Sequence, residues 1–245
     1  MDPMAPHDPM PSHGAAMTLP GWLTPLAWVF VVLAVASAVA VLVDVYRRGY
    51  RQPVRSMETV WVLSALWLGP LVLPLYARVG RPRSSKWQQE HRAAAPSRGT
   101  ADPATADTAS GGLPGGAASL IAHVIGVPLV LASGLTIAGL DLYAMIAVIA
   151  VLAIALLFAF ECSTLSRRRI GGGTVGVALL VASVTVLAFD LGMGGWMLLL
   201  HFNGLMPAPT DVTFLFLMQI GIALGFLTGY PAVALLVKRG SKVAV

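Results

Sequence analysis

The sequence predicts an all-α membrane protein, a polytopic transmembrane helical bundle with five or six spans. Of its 245 residues, 57% are hydrophobic and only 11% are charged, whereas about a quarter of the residues in a soluble domain are charged. The apolar residues form uncharged blocks of roughly 20, the length that a helix needs to cross the hydrocarbon core. Backbone groups in lipid must be paired internally, so blocks of this length are expected to be helical.

Six apolar segments follow one another along the chain. They are residues 22–43, 59–77, 117–140, 142–160, 174–202 and 212–237. The stretch between the second and third segments is rich in small and polar residues and buries too little apolar surface to offset its ordering entropy. The expected organisation is a disordered tail (1–21), a first pair of segments (22–77), a flexible cytoplasmic loop (78–116) and a four-segment bundle (117–245).

The Lys and Arg residues indicate which side of the membrane each connection occupies. All 16 fall into four clusters, within residues 47–55, 78–98, 167–169 and 238–242. Because basic residues stay on the cytoplasmic side, we expect the central loop and the C-terminus to be cytoplasmic, in a plasma (inner) membrane. This placement accounts for the net charge of +5 without nucleic acid as a partner.

The second segment conflicts with this charge rule, because basic clusters flank it on both sides. It also contains Gly69-Pro70 and Pro74, which interrupt a helix. If the segment crosses, there are six spans, both termini are inside, and the arginines of residues 47–55 lie outside. If it enters and returns, five crossings remain and the N-terminus is external. Its length is sufficient to span the hydrocarbon core, which favours the crossing.

Several short motifs resemble a known family. In the first half they are Asp44 with the basic stretch after it, Met57, Trp61, Leu68-Gly69-Pro70 and Tyr76. In the second half they are Gly192-Met193-Gly194-Gly195-Trp196-Met197, Met218-Gln219-Ile220-Gly221, Leu224-Gly225-Phe226 and Gly229-Tyr230-Pro231, followed by Gly240 and Lys242. Together they resemble the bacterial domain of unknown function 4396 family, an uncharacterised family of integral membrane proteins.

The resemblance covers most of the chain except the N-terminus and the central loop, and it implies no established activity. Many relatives carry a His-Cys…Cys pattern at the opening of the third segment. This chain has His123 there without a cysteine, so the resemblance does not extend to thiolate chemistry.

Asp190 is the most informative polar residue in the apolar segments. If residues 174–202 form one helix, Asp190 lies near its midpoint, where a charge costs about 3 kcal/mol. Such a carboxylate normally faces the bundle interior or a water-filled cavity and marks a substrate or ion path. In the alternative, the crossing ends at Phe189, and Asp190 lies at the interface before a glycine turn.

Met193, Met197 and His201 share a helical stripe with Asp190. A carboxylate, two thioethers and an imidazole could bind a soft cation such as Cu(I). In the alternative, the methionines fill gaps between helices. Apart from this possible metal site, the sequence does not indicate a cofactor.

Two other polar side chains are candidates for an intramembrane site. His123 is expected about one turn inside the cytoplasmic end of the third segment, where it could relay protons or bind a ligand. Its alternative role is a hydrogen bond to a neighbouring helix. Gln219, in the outer half of the sixth segment, is a candidate hydrogen-bond donor to Asp190. Asp44 and Glu161 end helices beside basic clusters and are interpreted as interfacial ion-pair partners.

Gly221, Gly225 and Gly229 form a small-residue ladder that predicts close helix packing. The leading functional hypothesis is a small permease, or an ion- or metal-handling protein, with a polar intramembrane site. The alternative is a non-catalytic structural or accessory subunit that packs against a partner through this ladder. An enzyme is less favoured because no complete catalytic motif is present. The expected partners are the lipid bilayer and either a second copy of the chain or another membrane subunit.

Overall fold

The computed structural model describes residues 19–91, 103–166 and 174–242. Within these ranges the chain forms the helices α1 (Leu23–Tyr46), α2 (Arg55–Leu68), α3 (Val72–Leu75), α4 (Arg81–Arg83), α5 (Ser85–Glu90), α6 (Pro103–Ser133), α7 (Asp141–Ser166), α8 (Thr174–Phe202) and α9 (Val212–Lys238). This confirms the all-α prediction. The predicted N-terminal tail up to residue 18, the middle of the central loop and Arg167–Arg169 lie outside the described residues.

Six stretches of the described chain are long and apolar enough to cross a membrane, judged by length and composition. They are α1, the run Arg55–Arg83, and most or all of α6, α7, α8 and α9. These helices make the chain a multi-pass membrane protein, as its composition predicts. Length and composition do not show how each stretch is folded, however, and one of the six is not a straight helix.

The run Arg55–Arg83 is folded back on itself, and we call it the re-entrant hairpin. Its ends meet, because Nε2 of Gln52 donates to the carbonyl of Gly80 at 3.1 Å and the amide of Ser85 donates to the carbonyl of Arg51 at 3.3 Å. A straight helix of this length would hold its ends about 40 Å apart. The hairpin therefore enters the bundle and returns to the same end. The structure thus replaces the crossing favoured from the sequence by the re-entrant alternative.

The apex of the hairpin lies at Gly69 and Pro70. Gly69 has a φ of +57°, which a residue with a Cβ rarely adopts, and the ring of Phe30 lies 3.0 Å from the place where that Cβ would be. Pro70 has no N–H, so the carbonyl of Leu66 loses its ordinary helical donor. The backbone therefore turns at a position that only glycine fits, and it leaves one carbonyl without its helical donor inside the protein.

The hairpin extends far along α1. At its mouth the hydroxyl of Tyr76 donates to Asp44, near the end of α1, at 3.1 Å, whereas at its apex Gly69 contacts Phe30 near the start. These two positions on α1 are about 20 Å apart at the helical rise. The rings of Trp61 and Tyr76 fill the space between the two arms, with centroids 5.3 Å apart.

Polar contacts join the chain segments at the mouth of the hairpin and at the neighbouring helix ends. Arg83 donates to Asp107 near the start of α6 at 2.5 Å, and Lys242, just after α9, donates to Glu161 near the end of α7. All described Lys and Arg residues lie at this end, which we call the basic end. The opposite end carries the start of α1, the turn between α6 and α7 and the loop between α8 and α9.

Helix α6 begins at Pro103, well inside the predicted loop, and ends at Ser133. Residues 103–116, predicted to be part of a flexible loop, are therefore helical. Small side chains allow neighbours to approach closely there: a Cβ on Gly116 would lie 2.6 Å from the ring of Trp67. The small residues that suggested a loop therefore allow α6 to pack closely against the hairpin and α9.

Helix α9 packs against α1, α2, α6 and α8. On its α8 side, a Cβ on Gly225 would lie 2.5 Å from the ring of Phe189, and a Cβ on Gly221 would overlap the sulfur of Met193. Gly229 lies beside the backbone of Phe189. The glycine ladder is therefore covered by a helix of the same chain, so it is not a free surface for a partner subunit.

Candidate functional site

A cavity of about 420 Å³ lies between α6 and α9, towards the opposite end of the bundle. Its lining is mostly apolar and includes Val127, Phe214 and Met218. Two polar side chains interrupt this lining, His123 from α6 and Gln219 from α9. The structure therefore brings together two of the three polar residues that the sequence singled out.

His123 is 7% exposed and lies deeper than the sequence predicts. Because α6 begins at Pro103, His123 is about 30 Å along the helix and not one turn inside its basic end. Its Nδ1 lies 2.8 Å from the carbonyl of Ser119, which can only accept a hydrogen bond. Nδ1 therefore carries the proton, and Nε2 is left as an acceptor. This buried Nε2 has no hydrogen-bond partner among the described residues.

Gln219 closes the gap that Pro70 leaves in the hairpin. Its Nε2 donates to the carbonyl of Leu66 at 2.8 Å, the carbonyl that lacks its helical donor. This bond fixes the orientation of the amide, so Oε1 is the atom left free to accept. The buried Oε1 of Gln219 has no partner in the described part of the chain. The expected role of Gln219 as a donor to Asp190 is therefore not what the structure shows.

A second, smaller cavity of about 120 Å³ lies at the hairpin apex. Trp67 and Leu68 line it from the hairpin, Phe30 lines it from α1, and Gln219 lines it from α9. Gln219 therefore borders both cavities, and it is the residue that links the larger cavity to the apex.

Asp190 lies near the middle of α8, half-buried, and lines neither of these cavities. It is one turn from Gly194, whose Cβ position lies 4.0 Å from Ile146 of α7. Asp190 therefore lies near the middle of one continuous helix that is long and apolar enough to cross a membrane, which is the helix that the first of the two sequence interpretations requires. It is not part of one site with His123 and Gln219.

The predicted methionine stripe contains two side chains packed in the core and two that are half-buried. Met193 and Met197 are each 2% exposed and belong to the apolar core, and Met193 packs onto Gly221. His201 is half-buried near the end of α8. No group of three or more His, Cys, Asp or Glu side chains in the described residues could hold a metal ion.

Asp44 and Glu161, the two carboxylates interpreted from the sequence as ion-pair partners, both form ion pairs. Asp44 accepts from Arg48 at 3.3 Å. Glu161 pairs with Lys242, and both side chains are only 1% exposed. Lys242 is not recognisable from the sequence as a partner of Glu161, because a lysine just after the last helix resembles an ordinary topology signal.

Comparison with known proteins gives one result. The sequence model of the domain of unknown function DUF4396 matches residues 106–242, which include His123, Asp190 and Gln219. The resemblance noted for Asp44 and the hairpin motifs lies outside this match. No curated protein and no solved structure matches the chain. The match covers more than half of the chain, and the protein is therefore a member of the DUF4396 family.

Proposed function

We propose that the protein is a small permease whose ligand occupies the cavity between α6 and α9. The observation that carries this proposal is the pair formed by His123 and Gln219. Both line the same cavity, and each keeps one buried polar atom without a partner among the described residues. A buried polar atom of this kind costs free energy unless something bonds it, so a ligand that supplies the bond gains affinity.

The chemistry of the cavity defines the ligand class. Nε2 of His123 and Oε1 of Gln219 are both acceptors, so the ligand must supply a hydroxyl or an ammonium donor. The remaining lining is mostly apolar, which favours an aliphatic or aromatic body over a fully polar molecule. The ligand is therefore an amphipathic molecule with a hydroxyl or ammonium group at one end.

The re-entrant hairpin supports movement of the ligand over binding alone. Irregular backbone at membrane depth is tolerated where protein buries it or where it lines a cavity, and interrupted helices of this kind border the substrate sites of transporters. A ligand that bonds Oε1 of Gln219 acts on the same amide that holds the carbonyl of Leu66. Binding and the position of the hairpin apex are thereby coupled through one side chain.

Asp190 and the methionine stripe give weaker support for an ion-handling version of this function. The two thioethers are used in packing, and Asp190 lies away from the cavity. The alternative of an accessory subunit loses the surface on which it rested, since α8 covers the glycine ladder. The cavity is therefore the better basis for a function.

The cavity proposal predicts selective binding of decylammonium and decanol over decane in nanodiscs. Replacing His123 with phenylalanine keeps an aromatic ring but removes the acceptor, so affinity for the two polar probes should fall roughly three- to tenfold, the value of one net hydrogen bond. Decane binding should stay unchanged. The measurement is the shift of the thermal unfolding midpoint against probe concentration, with Met218→Leu as the apolar control in the same cavity.

Two results would contradict this proposal. Equal binding of decane and decanol by the wild-type protein would remove the role of the polar pair. Transport can be measured as a decylammonium current from proteoliposomes on a solid-supported membrane. If this current does not exceed that of protein-free liposomes, the protein does not transport the probe, and the permease proposal is contradicted even if the probe binds.

We also propose that the basic end faces the cytoplasm of a bacterial plasma membrane. With the hairpin returning to its own end, all described Lys and Arg residues share one side, and the conflict with the positive-inside rule disappears. Five helices then cross, which places the N-terminus outside.

This orientation predicts opposite signals from reporters at the two ends of the chain. After Val245, a reporter that is active only in the cytoplasm should give a signal. At the N-terminus, a reporter that is active only outside the cytoplasm should give a signal. Epitope tags inserted at Gly134 and Gly204, in the turns of the opposite end, serve as controls and should be labelled from outside. A cytoplasmic N-terminus would restore the six-crossing arrangement and contradict the proposal.

A further inference from the structure

A groove of about 170 Å³ opens at the basic end, between α1 and the returning arm of the hairpin. Its inner wall is apolar and includes Ala40, Leu73 and Ala77, and its rim carries Arg48 and Arg81. An apolar wall below a basic rim is complementary to a phospholipid, which has apolar acyl chains below a charged headgroup. The groove is separate from the cavity between α6 and α9.

The charges of the groove do not balance. Asp44 accepts from Arg48 at 3.3 Å and from the neutral hydroxyl of Tyr76 at 3.1 Å, and it lies 3.6 Å from Nε of Arg81. One carboxylate thus faces two guanidinium groups, and the lining keeps a net positive charge. In addition, the buried Nε of Arg81 has no hydrogen-bond partner among the described residues.

Neighbouring residues hold the two arginines in place. The guanidinium of Arg81 lies over the ring of Tyr50, 4.1 Å from its centroid. Nζ of Lys86 donates to the backbone carbonyl of Arg48 at 2.7 Å, and the charge of Lys86 is paired with Glu90 at 3.8 Å. Because these positions are set before any ligand arrives, an anion bound here does not have to order the site.

We propose that this groove binds the phosphate of an anionic phospholipid, with Arg48 and Arg81 contacting the phosphate and the apolar wall holding the start of an acyl chain. Guanidinium groups suit phosphate oxygens geometrically, and basic pockets between helices on the cytoplasmic side of a membrane bind anionic headgroups. The apolar wall favours a phospholipid over a free phosphate ion, because a bound phosphate ion would leave this wall in contact with water. This proposal does not depend on the ligand of the larger cavity.

The test is native mass spectrometry of the full-length protein released from detergent with phosphatidylglycerol or phosphatidylcholine. The wild-type protein should retain phosphatidylglycerol preferentially. Arg48→Gln should weaken that retention roughly fivefold, the effect of one basic side chain near an anionic headgroup. Arg48 is 66% exposed at its side chain, so this variant should remain folded, which its thermal unfolding midpoint checks.

Arg47→Gln is the matched control, because Arg47 is exposed on the same helix end but does not line the groove. It should change retention less than twofold. Equal losses in the two variants would indicate a general attraction to a basic surface and would overturn the proposal. Equal retention of the two lipids would also overturn it, as would displacement of phosphatidylglycerol by millimolar inorganic phosphate, which would identify a site for a soluble anion.

Discussion

Replacing Lys242 with methionine is expected to lower the free energy of unfolding by about 3–5 kcal/mol. Lys242 and Glu161 are each 1% exposed, so the substitution leaves a buried carboxylate without its cation. The cost comes from this unpaired charge and not from lost packing, since methionine fills much of the same volume. Equilibrium unfolding in mixed detergent and dodecyl sulfate micelles measures the change.

Two variants separate this effect from a general loss of charge. Lys238→Met removes an exposed lysine at the end of α9 and should stay within about 0.5 kcal/mol of the wild type. The double variant Glu161→Leu with Lys242→Met removes both charges and should recover most of the loss. If Lys242→Met behaves like Lys238→Met, the ion pair does not stabilise the fold.

Replacing Gly192 with alanine is expected to destabilise the protein by about 1–3 kcal/mol, the range for overpacking a close contact. A Cβ at this position would lie 2.6 Å from the carbonyl oxygen of Leu224 and 2.7 Å from its carbon. Both atoms belong to backbone, so neither can rotate away, and α8 and α9 would have to separate. The same unfolding measurement gives the magnitude.

Gly195 provides the matched control within the same glycine motif. Nothing lies within 4 Å of its Cβ position, so Gly195→Ala should be neutral or should stabilise the helix by up to about 1 kcal/mol. Equal destabilisation by the two alanine variants would mean that the motif needs flexible backbone. The contact between α8 and α9 would then not be the reason for glycine at residue 192.

Sequence reasoning found the class and the main helices because hydrocarbon imposes a strong requirement on composition and length. It failed at the start of α6. There the absence of large aliphatic residues suggested a loop, but Gly112 and Gly116 lie against the rings of Phe226 and Trp67. A stretch of small residues is compatible either with a solvated loop or with a helix against which large side chains of other helices pack. The choice depends on those neighbours.

The site was predicted only in part. His123 and Gln219 were identified as polar residues in apolar surroundings, a signal that composition alone provides. Their meeting in one cavity was not predictable, because it depends on the depth of His123 and hence on the misplaced start of α6. The bond from Gln219 to Leu66 had one signal, the missing N–H of Pro70, but nothing in the sequence shows which distant side chain replaces it.

That bond has a consequence for the order in which the chain matures in the membrane. The hairpin leaves the ribosome long before α9. However, the carbonyl of Leu66 at its apex accepts a hydrogen bond from Gln219 of α9, and the ring of Trp67 packs on Phe226 of α9. The early part of the chain must therefore wait in the translocon or bilayer with an incomplete apex until the last helix is inserted. A chain that ends before α9 is therefore expected to keep an incomplete apex, in which the carbonyl of Leu66 has no donor from Gln219.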